Sequence, residues 1–194
     1  MTIAENLFGQ RNTSYLFLGF EFVPGHARVR YVTDKSLVIQ LSFQAMHNPM
    51  EAYAELAHEC IHLLSPHPRI SVKILEEGMA TVFSFMYMRD TMKAPILTTE
   101  QEHYDEAARL VAMLMQIDPY GIKKIREEEP DTRNITKELI QKYYPTIPEE
   151  VAARLARTFL TGLQEEDVPA RSDWYNRESF DADLPLENST QTGH

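Results

Sequence analysis

Between Val72 and Tyr87 the chain is apolar nearly all the way round a helix, yet two adjacent glutamates, Glu76 and Glu77, sit in its interior. Val72, Ile74, Leu75, Met79, Val82, Phe83, Phe85, Met86 and Tyr87 leave no broad polar face. A helix here, predicted over about residues 72–89, therefore belongs inside a core. A buried carboxylate is costly unless it is paired or bound to a metal. Lys73, Glu77, Thr81 and Ser84 fall in one narrow polar stripe, and such a stripe inside a buried helix needs a partner. An ion pair between Lys73 and Glu77, four residues apart, would account for one glutamate only.

A matching stripe lies just upstream. Asn48-Pro49-Met50-Glu51 reads as a helix start, with Asn as N-cap, Pro at the first helical position and Glu at the third. The helix should run to about Leu64, before Ser65-Pro66. Tyr53, Leu56, Ala57, Cys60, Ile61 and Leu64 form its apolar face, while Glu51, Glu55, His58, Glu59 and His62 form a polar one. That polar face contains the pattern His58-Glu59-Cys60-Ile61-His62. Helical residues four apart share a face, so both imidazoles can reach one metal ion. Neutral imidazole is a good zinc ligand, and zinc hydrolases keep three protein ligands and one open position. Glu59 would then remove a proton from a water at that position. At about 1.5 Å per residue, His62 lies about 3 Å before the end of its helix and Glu77 about 7–9 Å into the next, so a tight hairpin can bring them together.

Taken together, these residues resemble the gluzincin metallopeptidases. His58-Glu59-x-x-His62 followed by Leu75-Glu76-Glu77-Gly78-Met79-Ala80-Thr81 looks like the aminopeptidase-like group, in which a Glu-Gly-x-Ala segment supplies the third zinc ligand. The likeness covers Glu51 to Phe85. It implies Zn2+ held by His58, His62 and Glu77, with Glu59 as general base. It also implies that Thr81, one turn beyond Glu77, supports a ligating histidine from behind, and that Gly78 and Ala80 allow close helix packing. Fourteen residues separate His62 from Glu77, fewer than in the large aminopeptidases. Glu76 stands where asparagine is common there, and the motif that binds a substrate amine is not evident. A compact member is implied, with Glu76 as the alternative ligand. In gluzincins the edge strand of a preceding sheet can pair with an extended substrate. Ser36 to Phe43 would resemble that strand, an ordinary core strand being the other reading. The oxyanion donor such an enzyme needs would come from His103, Tyr104, Tyr120, Tyr143 or Tyr144.

The rest of the chain completes an α+β expectation. Tyr15–Phe22, Ala27–Val32 and Ser36–Phe43 read as strands joined by short turns, which suggests a small antiparallel N-terminal sheet. A mainly helical, zincin-like part follows. One further helix has Thr99 as cap and Glu102 three residues on, and others are expected over 132–144 and 148–163. Residues 1–163 form a single metallohydrolase domain in this reading. Residues 164–194 form an acidic C-terminal tail carrying the only tryptophan, Trp174, which could anchor on the domain or cover its cleft. The single cysteine, Cys60, excludes an internal disulfide and points away from the polar stripe. His26, His47, His67 and His194 lie off the motif and read as surface or loop residues.

With 29 acidic and 19 basic residues and a formal charge of -10, the chain lacks the basic footprint that nucleic acid or an anionic membrane requires. No apolar run is long enough to span a bilayer, and nothing resembles a signal peptide. A cytoplasmic location is therefore expected. The function expected is that of a zinc-dependent hydrolase, a metallopeptidase acting on a peptide or protein substrate. Two rivals accompany it: a zinc-binding domain without catalysis, and a regulatory interaction domain with a vestigial peptidase site.

Overall fold

The computed structural model describes residues 1–67, 72–94, 99 and 101–159. A short helix, α1 (Thr2–Phe8), leads into three strands, β1 (Leu16–Val23), β2 (Arg28–Thr33) and β3 (Ser36–Ser42). The remainder is helical: α2 (Phe43–His47), α3 (Pro49–His62), α4 (Ile74–Asp90), α5 (Glu102–Ile117), α6 (Gly121–Glu128), α7 (Lys137–Tyr143) and α8 (Glu149–Leu155). The expected α+β class holds. The expected boundary between 163 and 164, and Trp174 with the tail around it, lie outside the described residues. No helix among the described residues is long and apolar enough to cross a membrane.

The sheet departs from the expected antiparallel meander. Its order is β1-β3-β2, with β3 antiparallel to β2 but parallel to β1. β3 takes the centre because it is the most deeply buried strand. Leu37, Ile39 and Leu41 are all fully inside, and a strand so covered needs both of its backbone edges paired. This also corrects the expected edge strand: among the described residues, the open edges belong to β1 and β2. In β1 the register slips between Phe17 and Gly19, and Gly19 adopts a positive φ of 132° there, a conformation that glycine tolerates at a bulge.

α3 is the wall between two cores. Leu56, Cys60 and Ala52 pack against the sheet side with Leu37, Ile39 and Leu41. Ala57, Ile61 and Leu64 face the helical side with α4 and α5. Asn48 caps the helix, its side chain accepting from the N–H groups of Met50 and Glu51 with Pro49 at the first position. Cys60 is accordingly a partly covered thiol facing the sheet.

α4 is buried along nearly its whole length, as its composition demands. It approaches α5 so closely that a Cβ on Gly78 would lie 2.3 Å from the carbonyl oxygen of Ala107. The expected small-residue contact at Gly78 is thus present, with α5 as its partner. Ser84 ties α4 to α3 through a 2.9 Å hydrogen bond to the Ala54 carbonyl.

Two elements that the sequence reading missed brace this frame. α1 buries Ala4, Leu7 and Phe8. The buried Arg126 of α6 donates to the carbonyls of Phe8, Gly9, Gln10 and Leu64, which joins α1, α6 and the end of α3.

Candidate metal centre

α3 ends at His62 and α4 begins at Ile74, two residues later than predicted. Glu76 and Glu77 therefore fall in the first turn of α4, where the helix dipole favours negative charge. The histidines that face them offset the remaining cost of burial. Lys73, whose pairing with Glu77 was the alternative reading, instead donates to the carbonyl of Ala156 at 2.7 Å.

The polar ends of the two helices converge. His58, His62 and Glu77 bring one potential ligand atom each into a common cluster close enough to hold a metal ion. Nε2 of His58 lies 3.4 Å from Nε2 of His62. Oε2 of Glu77 lies 3.3 Å from the first of these and 3.7 Å from the second. A tetrahedral zinc ion with bonds of about 2.0–2.1 Å has its ligand atoms about 3.3–3.4 Å apart, so the three atoms form nearly one face of such a tetrahedron. Oε2 of Glu77 is buried and has no partner in proper hydrogen-bond geometry among the described residues. A cation between these three atoms would satisfy it.

Glu76 lies on the other side of His62. Its Oε1 is 2.7 Å from Nδ1 of His62, the ring nitrogen opposite the one that faces His58 and Glu77. Its Oε2 is 2.7 Å from Nε2 of His67 and accepts from the hydroxyl of Thr132. His67 lies in the irregular segment after α3, a loop position as expected, but its side chain is 1 % exposed, so the surface reading is corrected. His67 belongs to the centre and is fixed by a carboxylate from α4. Thr81, expected to support a ligating histidine, is buried with its hydroxyl unpartnered among the described residues. That supporting contact is made by Glu76 instead. Nothing in the sequence flagged His67 or Thr132, because neither lies at a helical spacing from the other groups.

Charge follows geometry. Burial works against the charged form of His62, but Glu77 and Glu76 outweigh it and push the imidazole up to about 9. Burial likewise opposes ionisation of Glu76, and the hydrogen bonds from His62 and His67 overcome it, holding the carboxyl down at about 2. Glu77 is also held below the ordinary range, burial again being outweighed by His62 and by contact with His58. Glu59, next to His58 on α3, is 2 % exposed. His58 is the more open ligand candidate, its side chain 20 % exposed against 7 % for His62.

Of the five oxyanion candidates, Tyr104 is in ring contact with the cluster. Its ring meets that of His58 edge to face with centroids 6.0 Å apart, and His103 stacks beside it. Tyr143 donates to Glu128 and Tyr144 to the carbonyl of Asp118, and Tyr120 is exposed. His26 and His47 are on the surface as expected. Flanking the centre is a cavity of about 180 Å³ lined by Val29, Tyr31, Pro66 and Val72 together with His62, His67 and Glu76.

No family model matches the sequence, and neither a curated protein nor a solved structure matches it.

Proposed function

We propose that the chain is a zinc-dependent hydrolase, a metallopeptidase of gluzincin type, with Zn2+ at His58, His62 and Glu77. The observation that carries this reading is the triangle of His58 Nε2, His62 Nε2 and Glu77 Oε2, with sides of 3.3, 3.4 and 3.7 Å. Two imidazoles and one carboxylate are a donor set of catalytic rather than structural zinc sites.

When bound, a zinc ion supplies Lewis-acid polarisation and a coordinated water with a pKa of about 7. The rest of the work falls to the chain. Glu76 directs Nε2 of His62 toward the other ligands by occupying Nδ1. Glu59 takes the proton from the attacking water and passes it to the leaving amine. The oxyanion donor is assigned to Tyr104, whose ring packs edge to face on that of His58. Substrate would enter from the side of His58, the more open of the two histidines. Pairing of an extended peptide by strand addition, if used, falls to β2, an edge strand whose Val29 and Tyr31 flank the centre.

The deep burial of Glu59 favours a second reading, in which zinc only joins α3 to α4. One experiment separates the two. Protein purified without chelators should carry about one zinc per chain, and His58→Ala should carry none. Glu59→Gln should keep the zinc and lose peptide hydrolysis. Equal metal content in the wild type and His58→Ala refutes the centre, whereas full activity in Glu59→Gln refutes the base.

A further inference from the structure

We propose that His67 is a positioning residue for the metal centre, acting through Glu76 on His62. The inference rests on the metal-site reading above and extends it to a residue outside the ligand set and outside the helical motif.

Glu76 contacts both neighbours. One carboxylate oxygen meets Nδ1 of His62 at 2.7 Å and the other meets Nε2 of His67 at 2.7 Å. A glutamate side chain ends in a soft torsion, so a carboxylate anchored at one oxygen only could swing its other oxygen off the His62 ring. Anchoring the second oxygen removes that freedom. With Oε1 of Glu76 held at Nδ1, the His62 ring keeps its Nε2 turned toward His58 and Glu77.

His67 is itself fixed. Its Nε2 lies 3.2 Å from the hydroxyl of Thr132, and that hydroxyl donates to the same oxygen of Glu76. The backbone N–H of Thr132 donates to the side chain of Ser65 at 3.3 Å, so the turn after α3 is tied to a residue more than sixty positions away in sequence. His67, Thr132 and Glu76 thus close a buried triangle behind the ligand. Its members come from the segment after α3, from the Thr132–Asn134 turn and from α4. Such a cage has no packing purpose that an apolar trio would not serve at lower desolvation cost.

The test compares His67→Phe, which keeps the volume and removes the hydrogen bond, with His67→Gln, whose amide nitrogen restores a donor near the position of Nε2. Two quantities are read: zinc affinity by competition with a chromogenic chelator, and the Nδ1 proton resonance of His62 by NMR on zinc-loaded protein. His67→Phe should weaken zinc binding by about 10-fold, the low end for an outer contact because the Thr132 hydroxyl still holds the same oxygen, and shift or broaden that resonance. His67→Gln should recover affinity to within a few-fold and restore the resonance. If His67→Phe does not fold, His67→Asn, too short to reach Glu76, takes its place in the comparison. Wild-type affinity together with an unchanged His62 resonance in the variant that lacks the hydrogen bond overturns the proposal while leaving the metal site standing. A wild-type protein that binds no zinc overturns both.

Discussion

Nδ1 of His62 sits 2.7 Å from Oε1 of Glu76, so the two adjacent glutamates of α4 meet opposite edges of one imidazole. Glu77 faces the Nε2 side in company with His58. Neighbouring residues on a helix point about 100° apart, which is how one turn of α4 serves both edges of the ring. The two side chains therefore have different parts and their variants should separate. Glu77→Gln should abolish stoichiometric zinc binding after dialysis. Glu76→Gln should keep one site and weaken it by about 10–100-fold. Elemental analysis and a competition titration read both outcomes, and equal losses in the two variants contradict the division of roles.

The zinc-free protein should lose stability as pH rises from about 6.5 to 9. Folded His62 holds its proton up to about 9, whereas an unfolded histidine releases it near 6.5. The native state binds more protons in that window, so its advantage is complete below the lower value and fades through the upper one. Glu76 acts in the opposite sense. Its carboxyl, held at about 2, contributes stability above the ordinary carboxylate range that is lost as the pH falls through 2. Thermal midpoints at pH 6 and pH 9, with and without zinc, check the first claim. The loaded protein should not show the alkaline loss, because zinc replaces the proton on His62.

Tyr104→Phe should retain zinc and reduce peptide turnover by about 10²–10³-fold, the usual cost of losing one oxyanion donor. Tyr143→Phe, whose hydroxyl bonds Glu128 instead, should leave turnover unchanged. Equal activity in both variants removes Tyr104 from the chemistry.

Gly78→Ala should destabilise the fold by about 1–3 kcal/mol, a typical cost of overpacking. Its new methyl group would meet the Ala107 carbonyl carbon at 2.8 Å and the oxygen at 2.3 Å, and backbone cannot step aside as a side chain can. Urea unfolding measures the loss. An unchanged midpoint means that α4 and α5 part more easily than their contact suggests.

Much of the centre was legible because it is local. His58 and His62 share a helical face by spacing alone, and Asn48-Pro49 announces the start of that helix. A carboxylate in so apolar a helix demands a partner, which marked Glu76 and Glu77 alike; the polar stripe with Lys73, Thr81 and Ser84 and the resemblance to a Glu-Gly-x-Ala segment are what favoured Glu77. The strands were found to within a residue or two from their β-branched and aromatic content. Their pairing was not, since hydrophobic pattern marks which residues are buried and leaves open which strand takes the middle.

The sequence by itself determined an α+β chain with two histidines one helical turn apart and a buried acidic pair awaiting a partner. Those are matters of period and burial, which neighbouring residues decide among themselves. Only the tertiary structure decided that Glu76 backs His62 while Glu77 faces it, that His67 and Thr132 close around Glu76, and that β3 rather than an edge strand lies at the centre of the sheet. Each of these depends on the directions in which segments distant along the chain approach one another, and side-chain spacing along a single segment carries no record of such approaches.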